Sequence, residues 1–142
     1  MTEGPNADRL VAFFDKWGTD FDTMVESFRE IFAENTEWWN ADALPLVHGI
    51  DESIEKVLLP SRDSALAMEC IRVEMLNVTE DGNKVYHERI DHILRKDGSI
   101  VISIPICGIT EFDADGRIAV WRDYCNPIGM LDIIAGKTPV TA

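Results

Sequence analysis

The chain has 142 residues, a length typical of a single domain, and 46% of them are hydrophobic, so it can bury an ordinary core without a disulfide or metal staple. Its 26 acidic residues and 13 Lys and Arg residues give a formal net charge of -13. Such a charge repels phosphate backbones and anionic lipid, which argues against nucleic acid and membrane surfaces as partners.

Two helices are predicted at the N-terminus. In the first, apolar residues recur at three- and four-residue spacing from Leu10 to Trp17, and Gly18 ends the pattern. Five of the six phenylalanines precede residue 33, so the two helices must pack against a large flat partner such as a sheet. Thr19 or Asp20 can cap the second helix, whose apolar face is Phe21, Met24, Val25, Phe28, Ile31 and Phe32.

A short aromatic strand is predicted at residues 36–40, followed by a loop that contains Pro45. Asp51 can then cap a third helix. Pro60 is expected to close this helix, because proline cannot continue the hydrogen-bond ladder.

Long strands dominate the sequence from residue 65 onward. Turns rich in Gly, Asp and Asn separate them, which is typical of antiparallel hairpins. Pro105 cannot donate to a ladder and therefore indicates a bulge or an edge position. A short helix or coil is expected after Pro127. The predicted strands cover residues 65–78, 84–95, 99–112 and 118–124.

Helices followed by an antiparallel meander predict an α+β fold rather than an α/β fold. We expect a highly curved mixed or antiparallel sheet with the N-terminal helices packed on its concave side, forming a cone with one deep pocket. The whole chain, residues 1–142, is expected to form this single domain, with residues 1–6 and 138–142 frayed.

The most informative motif lies in the second long strand. Because side chains alternate across a strand, His87, Arg89 and Asp91 share one face. If that face points into the cone, an Arg and an Asp are buried side by side, and His87 can line the pocket with them. The alternatives are an exposed ion pair of little energetic value and a structural His.

A second candidate lies in the last strand, where Asp123 shares a face with Trp121, which can line the same pocket. A carboxylate beside a Trp is expected to be paired or functional, unless it ends an edge strand in solvent. Two carboxylates in one dry pocket cannot both ionise cheaply, so one keeps a proton and the other acts as a base. With Arg89 between Asp91 and Asp123, this pattern predicts acid–base addition of water.

Trp38, Trp39 and Asn40 form a third candidate cluster. Asn40 carries both a donor and an acceptor and can therefore orient a water molecule. Neighbouring strand residues face opposite sides, so one of the two Trp side chains is expected to be core packing. In the alternative interpretation both Trp residues are core residues and Asn40 only begins the loop.

The cysteines and histidines form neither a metal-binding pattern nor a convincing nucleophile motif, so no metal site and no covalent triad are predicted. Cys70, Cys107 and Cys125 have apolar or strand-like neighbours and are expected to be buried, reduced thiols. The N-terminus is polar, and the longest apolar stretch, residues 100–109, is too short to span a bilayer. These features together predict a cytoplasmic protein.

Three motifs resemble those of the limonene-1,2-epoxide hydrolases. The stretch VYxERxD at residues 85–91 and the stretch WRDY at residues 121–124 resemble the paired motifs of that family. The segment before the predicted third helix, with Thr36, Asn40, Pro45 and Gly49-x-Asp51, is similar to the family as well. The resemblance implies the cone fold shared with ketosteroid isomerases, nuclear transport factor and certain polyketide cyclases. It also implies a homodimer that needs no metal or organic cofactor.

The resemblance further implies a role for each site residue in a one-step hydrolysis of a small or hydrophobic epoxide. Asp123 would deprotonate water, Asp91 would protonate the departing epoxide oxygen, and Arg89 would hold both carboxylates. Asn40 would position the water, and Trp38 stands where the family usually has a Tyr. An indole N–H can donate but cannot accept, so Trp38 would position the water differently.

Two other functions remain open at this point. A polyketide-cyclase-like or isomerase-like enzyme would use an Asp to abstract a carbon-bound proton, and it would need an oxyanion donor opposite that Asp. A non-catalytic small-molecule binder on the same fold would have no need of a buried Asp–Arg–Asp cluster.

Overall fold

The computed structural model describes residues 3–42 and 44–138 of the chain. The helices are α1 (Pro5–Lys16), α2 (Phe21–Ile31), α3 (Gly49–Ser53), α4 (Leu59–Asp63) and α5 (Ile128–Ile134), with a π-helical turn (Ile54–Leu58) between α3 and α4. The strands are β1 (Phe32–Asn40), β2 (Val47–His48), β3 (Cys70–Asp81), β4 (Lys84–Leu94), β5 (Ile100–Phe112) and β6 (Ile118–Cys125). Residues 5 and 6 are therefore helical, although the sequence predicts a frayed segment there. Residues 1–2 and 139–142, which the same prediction covers, lie outside the described residues.

The strands form a six-stranded mixed sheet in the order β2-β1-β6-β5-β4-β3. β3 to β6 are the predicted antiparallel meander. β1 lies beside β6 and pairs with it in parallel, in a register that sets Trp38 opposite Trp121 and Asn40 opposite Asp123. The meander alone would have left β6 as an edge strand, and the parallel pairing brings the third candidate cluster next to the second.

Irregular register interrupts the ladders of the meander and bends its strands. Pro105 is not at one of these irregularities. It pairs with Ile90 of β4, whereas the ladder between β5 and β6 begins only at Ile106. β5 therefore has one neighbouring strand at Pro105, so the edge position is the correct one of the two alternatives.

An aromatic core joins α1 and α2 to the concave face of the sheet. Asp20 begins α2 by accepting the backbone N–H of Thr23 at 2.7 Å, which confirms it as the cap. The core rings are each at most 4% exposed and pack edge-to-face or stacked, an arrangement that suits their quadrupoles. They are Phe13, Phe14, Trp17, Phe28, Phe32, Trp38 and Trp121.

The prediction that Pro60 closes the third helix is wrong, because α3, the π-helical turn and α4 run on as one helical segment. In the π turn the backbone N–H of Leu59 donates to the carbonyl of Ile54, five residues earlier. Pro60 then falls in the first turn of α4, where a missing N–H costs little. The segment also begins at Gly49, before the predicted cap Asp51.

Two predicted strand boundaries need correction. β3 begins at Cys70 rather than at residue 65, because the preceding backbone is tied to α4 by a hydrogen bond from the Met68 N–H to the Ser61 carbonyl at 3.1 Å. β1 begins at Phe32, which the sequence pattern assigns to the second helix. Pairing with Ile118 of β6 extends this strand beyond the predicted residues 36–40.

The expectation of three buried thiols is wrong for one of them. Cys70 is buried and Cys125 is half-buried, but Cys107 is exposed. Strand alternation turns Cys107 to the outer face of the sheet, opposite Tyr124 of β6.

The α+β class, the N-terminal helices and the strongly curved sheet are confirmed. Within the described part of the chain, no helix is long and apolar enough to cross a membrane.

Candidate active site

A cavity lies between the concave face of the sheet and the helices, and the empty space between its wall atoms is about 620 Å³ when the open solvent at its mouth is counted. Its wall is mostly apolar. The side chains come from Trp17 just after α1, from α2, the π turn, α4 and α5, from the loop residues Met68 and Pro127, and from the inner faces of the strands. The polar exceptions are Asn40, Ser61, Arg89, Asp91 and Asp123.

Strand alternation turns the charged side chains of β4 and β6 towards this cavity. Along β4, His87, Arg89 and Asp91 are buried, while the residues between them are partly or fully exposed. On β6, Trp121 and Asp123 are buried in the same way. Arg89 and Asp91 therefore point inward, as the pattern predicts, and Asp123 meets them from two strands away.

All five N–H groups of Arg89 have acceptors. Nε and Nη2 donate to the carboxylate of Asp91 at 2.9 and 3.3 Å. Nη1 and Nη2 donate to the carboxylate of Asp123 at 3.0 and 2.8 Å. The second N–H of Nη1 donates to Nδ1 of His87 at 3.2 Å. Arg89 is 1% exposed, so it bridges two buried carboxylates and has no donor left for a further ligand.

The surroundings shift the ionisation of this cluster in a defined direction. Burial raises the pKa of Asp91, and the nearby Asp123 adds to this, although Arg89 acts in the opposite sense. Burial disfavours the charge of Arg89, but Asp123 and Asp91 outweigh it and raise the pKa of the guanidinium. The cluster therefore contains a permanent cation and a carboxyl group, that of Asp91, which favours its protonated form more than an ordinary Asp does.

The indole of Trp121, with the ring of Trp38 stacked behind it, supports Asp123. Trp121 donates its indole N–H to Oδ1 of Asp123 at 2.9 Å and is fully buried behind the cavity wall. Trp38 stacks on Trp121 with ring centroids 4.8 Å apart, and it also lines the cavity. Trp39 points to the outer face, where it contacts Tyr124. Of the two neighbouring Trp residues, only Trp38 therefore reaches the candidate site.

Asn40 lies beside Asp123 in the parallel ladder, and the backbone N–H of Ala41 donates to the Asp123 carbonyl at 3.0 Å. Its side chain lines the cavity and has no hydrogen-bond partner among residues 3–42 and 44–138. Both its donor and its acceptor are therefore available to a small molecule next to Asp123.

His87 lies behind Arg89, and the cavity wall does not include it. Its ring contacts the ring of Phe14 at 5.5 Å between centroids, and Nε2 lies 3.4 Å from the Thr110 hydroxyl. Burial, and then the charge of Arg89, lower the pKa of His87 to about 4. A neutral ring is what the hydrogen bond requires, because Nδ1 must accept from Arg89. His87 thus orients Arg89 and does not line the pocket.

Gly108 of β5 permits the close approach of His87 and Asp123. It is the ladder partner of His87 on one side and of Asp123 on the other. A Cβ atom at this position would collide with the His87 ring and would lie 2.6 Å from Oδ1 of Asp123. The sequence contains a signal for this contact, since a Gly inside a strand pattern indicates a close approach of the backbone.

The structure thus brings together Asp91, Arg89, Asp123, Asn40 and Trp38, and it places His87 and Trp121 behind the wall. Other wall residues have no distinguishing sequence signal, because their spacing is that of ordinary core residues. Among them are Trp17, Met24, Met68, Cys125 and Met130. Across the described ranges, no group of three or more His, Cys, Asp or Glu side chains is arranged to hold a metal ion.

Comparison with known protein families identifies a match over most of the chain. The family described as the limonene-1,2-epoxide hydrolase catalytic domain matches residues 9–135, which is nearly the whole chain. No curated protein matches the sequence.

Solved structures with the same fold are similar over most of their length. A protein assigned as a SnoaL-like polyketide cyclase from Jannaschia sp. CCS1 is 16% identical, with 92% of this chain and 91% of that chain covered and a TM-score of 0.69. A protein with a ketosteroid isomerase-like fold from Catenulispora acidiphila is 15% identical, with 95% and 98% covered and a TM-score of 0.67. An LEH-like epoxide hydrolase from M. tuberculosis is 19% identical, with 91% and 88% covered and a TM-score of 0.63. At these identities the likeness concerns the fold alone.

Proposed function

The chain belongs to the limonene-1,2-epoxide hydrolase family, and from this membership and the geometry of its charged cluster we propose that it adds water to an apolar epoxide to give a vicinal diol. The proposal rests on one observation. The guanidinium of Arg89 donates to the carboxylates of both Asp91 and Asp123 and holds them together in an apolar cavity. Such an arrangement equips one carboxyl group as an acid and the other as a base.

Asp91 is the acid. Asp91 lines the cavity and is only 6% exposed, and burial raises its pKa, so it retains a proton at a pH where an exposed Asp has lost it. An epoxide oxygen leaves as an alkoxide, which is a very poor leaving group unless a proton reaches it in the transition state. Asp91 supplies that proton.

Asp123 is the base. Three N–H groups donate to it, two from Arg89 and one from Trp121, and they fix its position. Asn40 stands beside it in the ladder with an uncommitted amide group. A water molecule held between Asn40 and Asp123 is positioned for attack, whereas the indole N–H of Trp38, on the same strand face, is buried and is not exposed to the cavity.

The step balances within the cluster. The water oxygen forms a bond to one epoxide carbon as the C–O bond of that carbon breaks, and the released oxygen takes the proton of Asp91. Asp123 takes the proton of the water. Afterwards a proton must return from Asp123 to Asp91, which restores the starting state without any change in the charge of Arg89.

Labelled water tests this mechanism directly. In a single turnover, all of the label should enter the diol and none should enter either carboxylate, because no bond to the protein forms. Label found in Asp91 or Asp123 would contradict direct attack by water and would indicate an ester intermediate.

Asparagine variants test the roles of the two carboxylates. Asp123→Asn and Asp91→Asn should each lower turnover by about 10²–10⁴-fold, and the losses should not add in the double variant because acid and base act in one step. Asp115→Asn makes the same chemical change in an exposed turn and is the matched control. Release of a carbon-bound proton from a ketone, without any diol from epoxides, would instead assign the chain to an isomerase-like reaction.

A further inference from the structure

The acid Asp91 has bulky neighbours in the sheet. Ile93 follows it on the same face of β4, and Ile104 is its ladder partner on β5. Ile93 is 2% exposed and Ile104 is 6% exposed, and both line the cavity. Branching at Cβ makes isoleucine side chains stiff, and a close-packed interior leaves them little freedom to move. The cavity wall beside the acid is therefore crowded.

The cavity wall beside the base Asp123 is less crowded and lies nearer to solvent. Cys125 follows Asp123 on the same face of β6, and Asn40 is the ladder partner of Asp123 on β1. The half-buried residues of the wall are Asn40, Val57, Cys125 and Met130, and all other wall residues are buried. Met130 belongs to α5, a helix without any buried residue. Because a cysteine side chain is much smaller than an isoleucine side chain, a group bound beside Cys125 has more room than a group bound beside the acid.

The thiol of Cys125 lies in the electrostatic field of the charged cluster. Burial, and then the charge of Asp123, raise the pKa of Cys125 to about 11, with Asp91 adding to this and Arg89 acting in the opposite sense. The thiol therefore stays protonated at neutral pH, and a protonated thiol is a poor nucleophile towards an epoxide. What Cys125 contributes to the wall is its small size.

In-line attack gives the two epoxide carbons different places along this wall. The water held beside the base and the oxygen that leaves towards the acid lie on opposite sides of the attacked carbon. The other epoxide carbon keeps the leaving oxygen and therefore lies closer to the acid. Substituents of the attacked carbon are thus placed on the side of Cys125, and those of the other carbon are placed on the side of Ile93 and Ile104.

We propose that Cys125 is a specificity residue that directs water to the epoxide carbon with the larger substituent, because this substituent fits beside Cys125 and does not fit beside Ile93 and Ile104. The preferred substrates are unsymmetrical epoxides with a small group, such as methyl, on one carbon and a longer apolar chain on the other. The inference rests on the proposed epoxide hydrolysis and adds which carbon is attacked. Cys125 takes no part in proton transfer.

The test uses cis-2,3-epoxyheptane, which carries a methyl group on one epoxide carbon and a butyl group on the other. Each carbon bears one alkyl group, so the electronic difference between them is small, and steric hindrance alone favours attack on the methyl-bearing carbon. The two enantiomers are assayed separately in labelled water, and mass spectrometry of the diol locates the label. For the enantiomer that the unaltered chain turns over faster, most of the label should be on the butyl-bearing carbon.

Two variants change the space on either side of the cluster. Cys125→Leu fills the space beside the base and should lower the ratio of label on the butyl-bearing carbon to label on the methyl-bearing carbon by about 10-fold or more, since a methylene group in an apolar pocket changes discrimination by about 10- to 200-fold. Ile104→Ala opens the wall beside the acid and should lower the same ratio. The second variant keeps the inference testable if Cys125→Leu does not fold.

Two controls separate the size of Cys125 from its chemistry. Cys125→Ser keeps a small side chain but removes the thiol, and it should leave the ratio at that of the unaltered chain. Cys107→Leu makes the matched change at an exposed position on the outer face of the sheet and should also leave it unchanged. An equal fall in Cys125→Ser and Cys125→Leu would overturn the assignment of a steric role.

Failure of this inference is distinguishable from failure of the proposed function. If the unaltered chain forms no diol from any epoxide, both are overturned. If it forms the diol with most of the label on the methyl-bearing carbon, or if neither Cys125→Leu nor Ile104→Ala changes the ratio, the hydrolase proposal stands and the role of Cys125 is overturned.

Discussion

A guanidinium that is 1% exposed would be very costly to bury by itself, and Arg89 is stabilised by the partners around it. Two carboxylates supply opposite charge, His87 accepts the remaining N–H, and the ring of Phe14 lies 4.6 Å from Cζ. Removing one partner of a buried ion pair typically costs about 3–5 kcal/mol. The residues that we assign to proton transfer are therefore structural as well, and the unfolding free energy of each variant must be measured beside its activity.

His87 gives a residue-level prediction about pH. Its pKa is lowered from 6.5 to about 4 in the folded chain. Between these pH values the unfolded chain therefore binds a proton at His87 more readily than the folded chain does. Stability should therefore rise from about pH 4 to about pH 6.5, by roughly 3 kcal/mol for this residue, and be independent of His87 at higher pH. Urea unfolding across this range measures the effect.

The control for this prediction is His87→Asn, which keeps an acceptor near Nδ1 for Arg89 but cannot titrate. The groups that face His87 are Arg89 on its own strand, Asp123 of β6, the Thr110 hydroxyl of β5 and the apolar Phe14 of α1. The raised pKa of Asp91 has the opposite effect, because it makes the unfolding free energy fall as the pH rises through the acid range. This effect is present in both proteins. The difference between them therefore isolates His87, and equal pH dependence of the two would contradict a neutral buried imidazole.

At the scale of the elements, the site depends on three residues that lie in one row across neighbouring strands. His87 of β4, Gly108 of β5 and Asp123 of β6 are successive ladder partners. The two side chains approach each other over the Gly because the strand between them contributes no Cβ atom. Strand spacing thus sets the distance between the base and the group that orients Arg89.

Gly108→Ala should displace Asp123 and His87 and lower kcat/KM by about 10²-fold, since small misplacements of catalytic groups have large effects. Overpacking should also reduce the unfolding free energy by about 1–3 kcal/mol. Cys107→Ala is the control, because it alters the neighbouring exposed position of the same strand. Activity close to that of the unaltered chain in Gly108→Ala would show that the close approach is not required.

At the scale of the whole molecule, the outer face of the sheet carries exposed aromatic side chains. Tyr86 is 40% exposed and Tyr124 is 48% exposed, and Trp39 and Cys107 lie next to Tyr124. The family resemblance leads us to expect a homodimer, and this face suits the contact because it exposes aromatic rings on the outer side of the sheet.

Sedimentation velocity tests this expectation. The unaltered chain should sediment as a dimer, and the dimer should become tighter at higher salt, because each subunit carries a net charge of -13 that added salt screens. Tyr86→Glu should produce a monomer, whereas Ile128→Glu, at a 60% exposed position on α5, should not. A monomer at all concentrations of the unaltered chain would contradict the expectation.

The sequence by itself determined the features that depend on local geometry. Strand alternation decides that Arg89 and Asp91 share a face and that Trp38 and Trp39 do not, and an Asx side chain before a helix decides the cap at Asp20. These follow from the covalent structure of a strand or a helix end, whatever lies around them.

Only the tertiary structure decided the features that depend on non-local packing. The parallel pairing of β1 with β6 places Asn40 beside Asp123, and the contact with Phe14 keeps His87 off the cavity wall. The π-helical turn carries the third helix past Pro60, and the aromatic stack leaves the N–H of Trp17 without an acceptor. For the pairing of β1 with β6 and the contact of Phe14 with His87, the deciding contacts join segments far apart in the chain, and their free energy outweighs local preferences that a sequence pattern records.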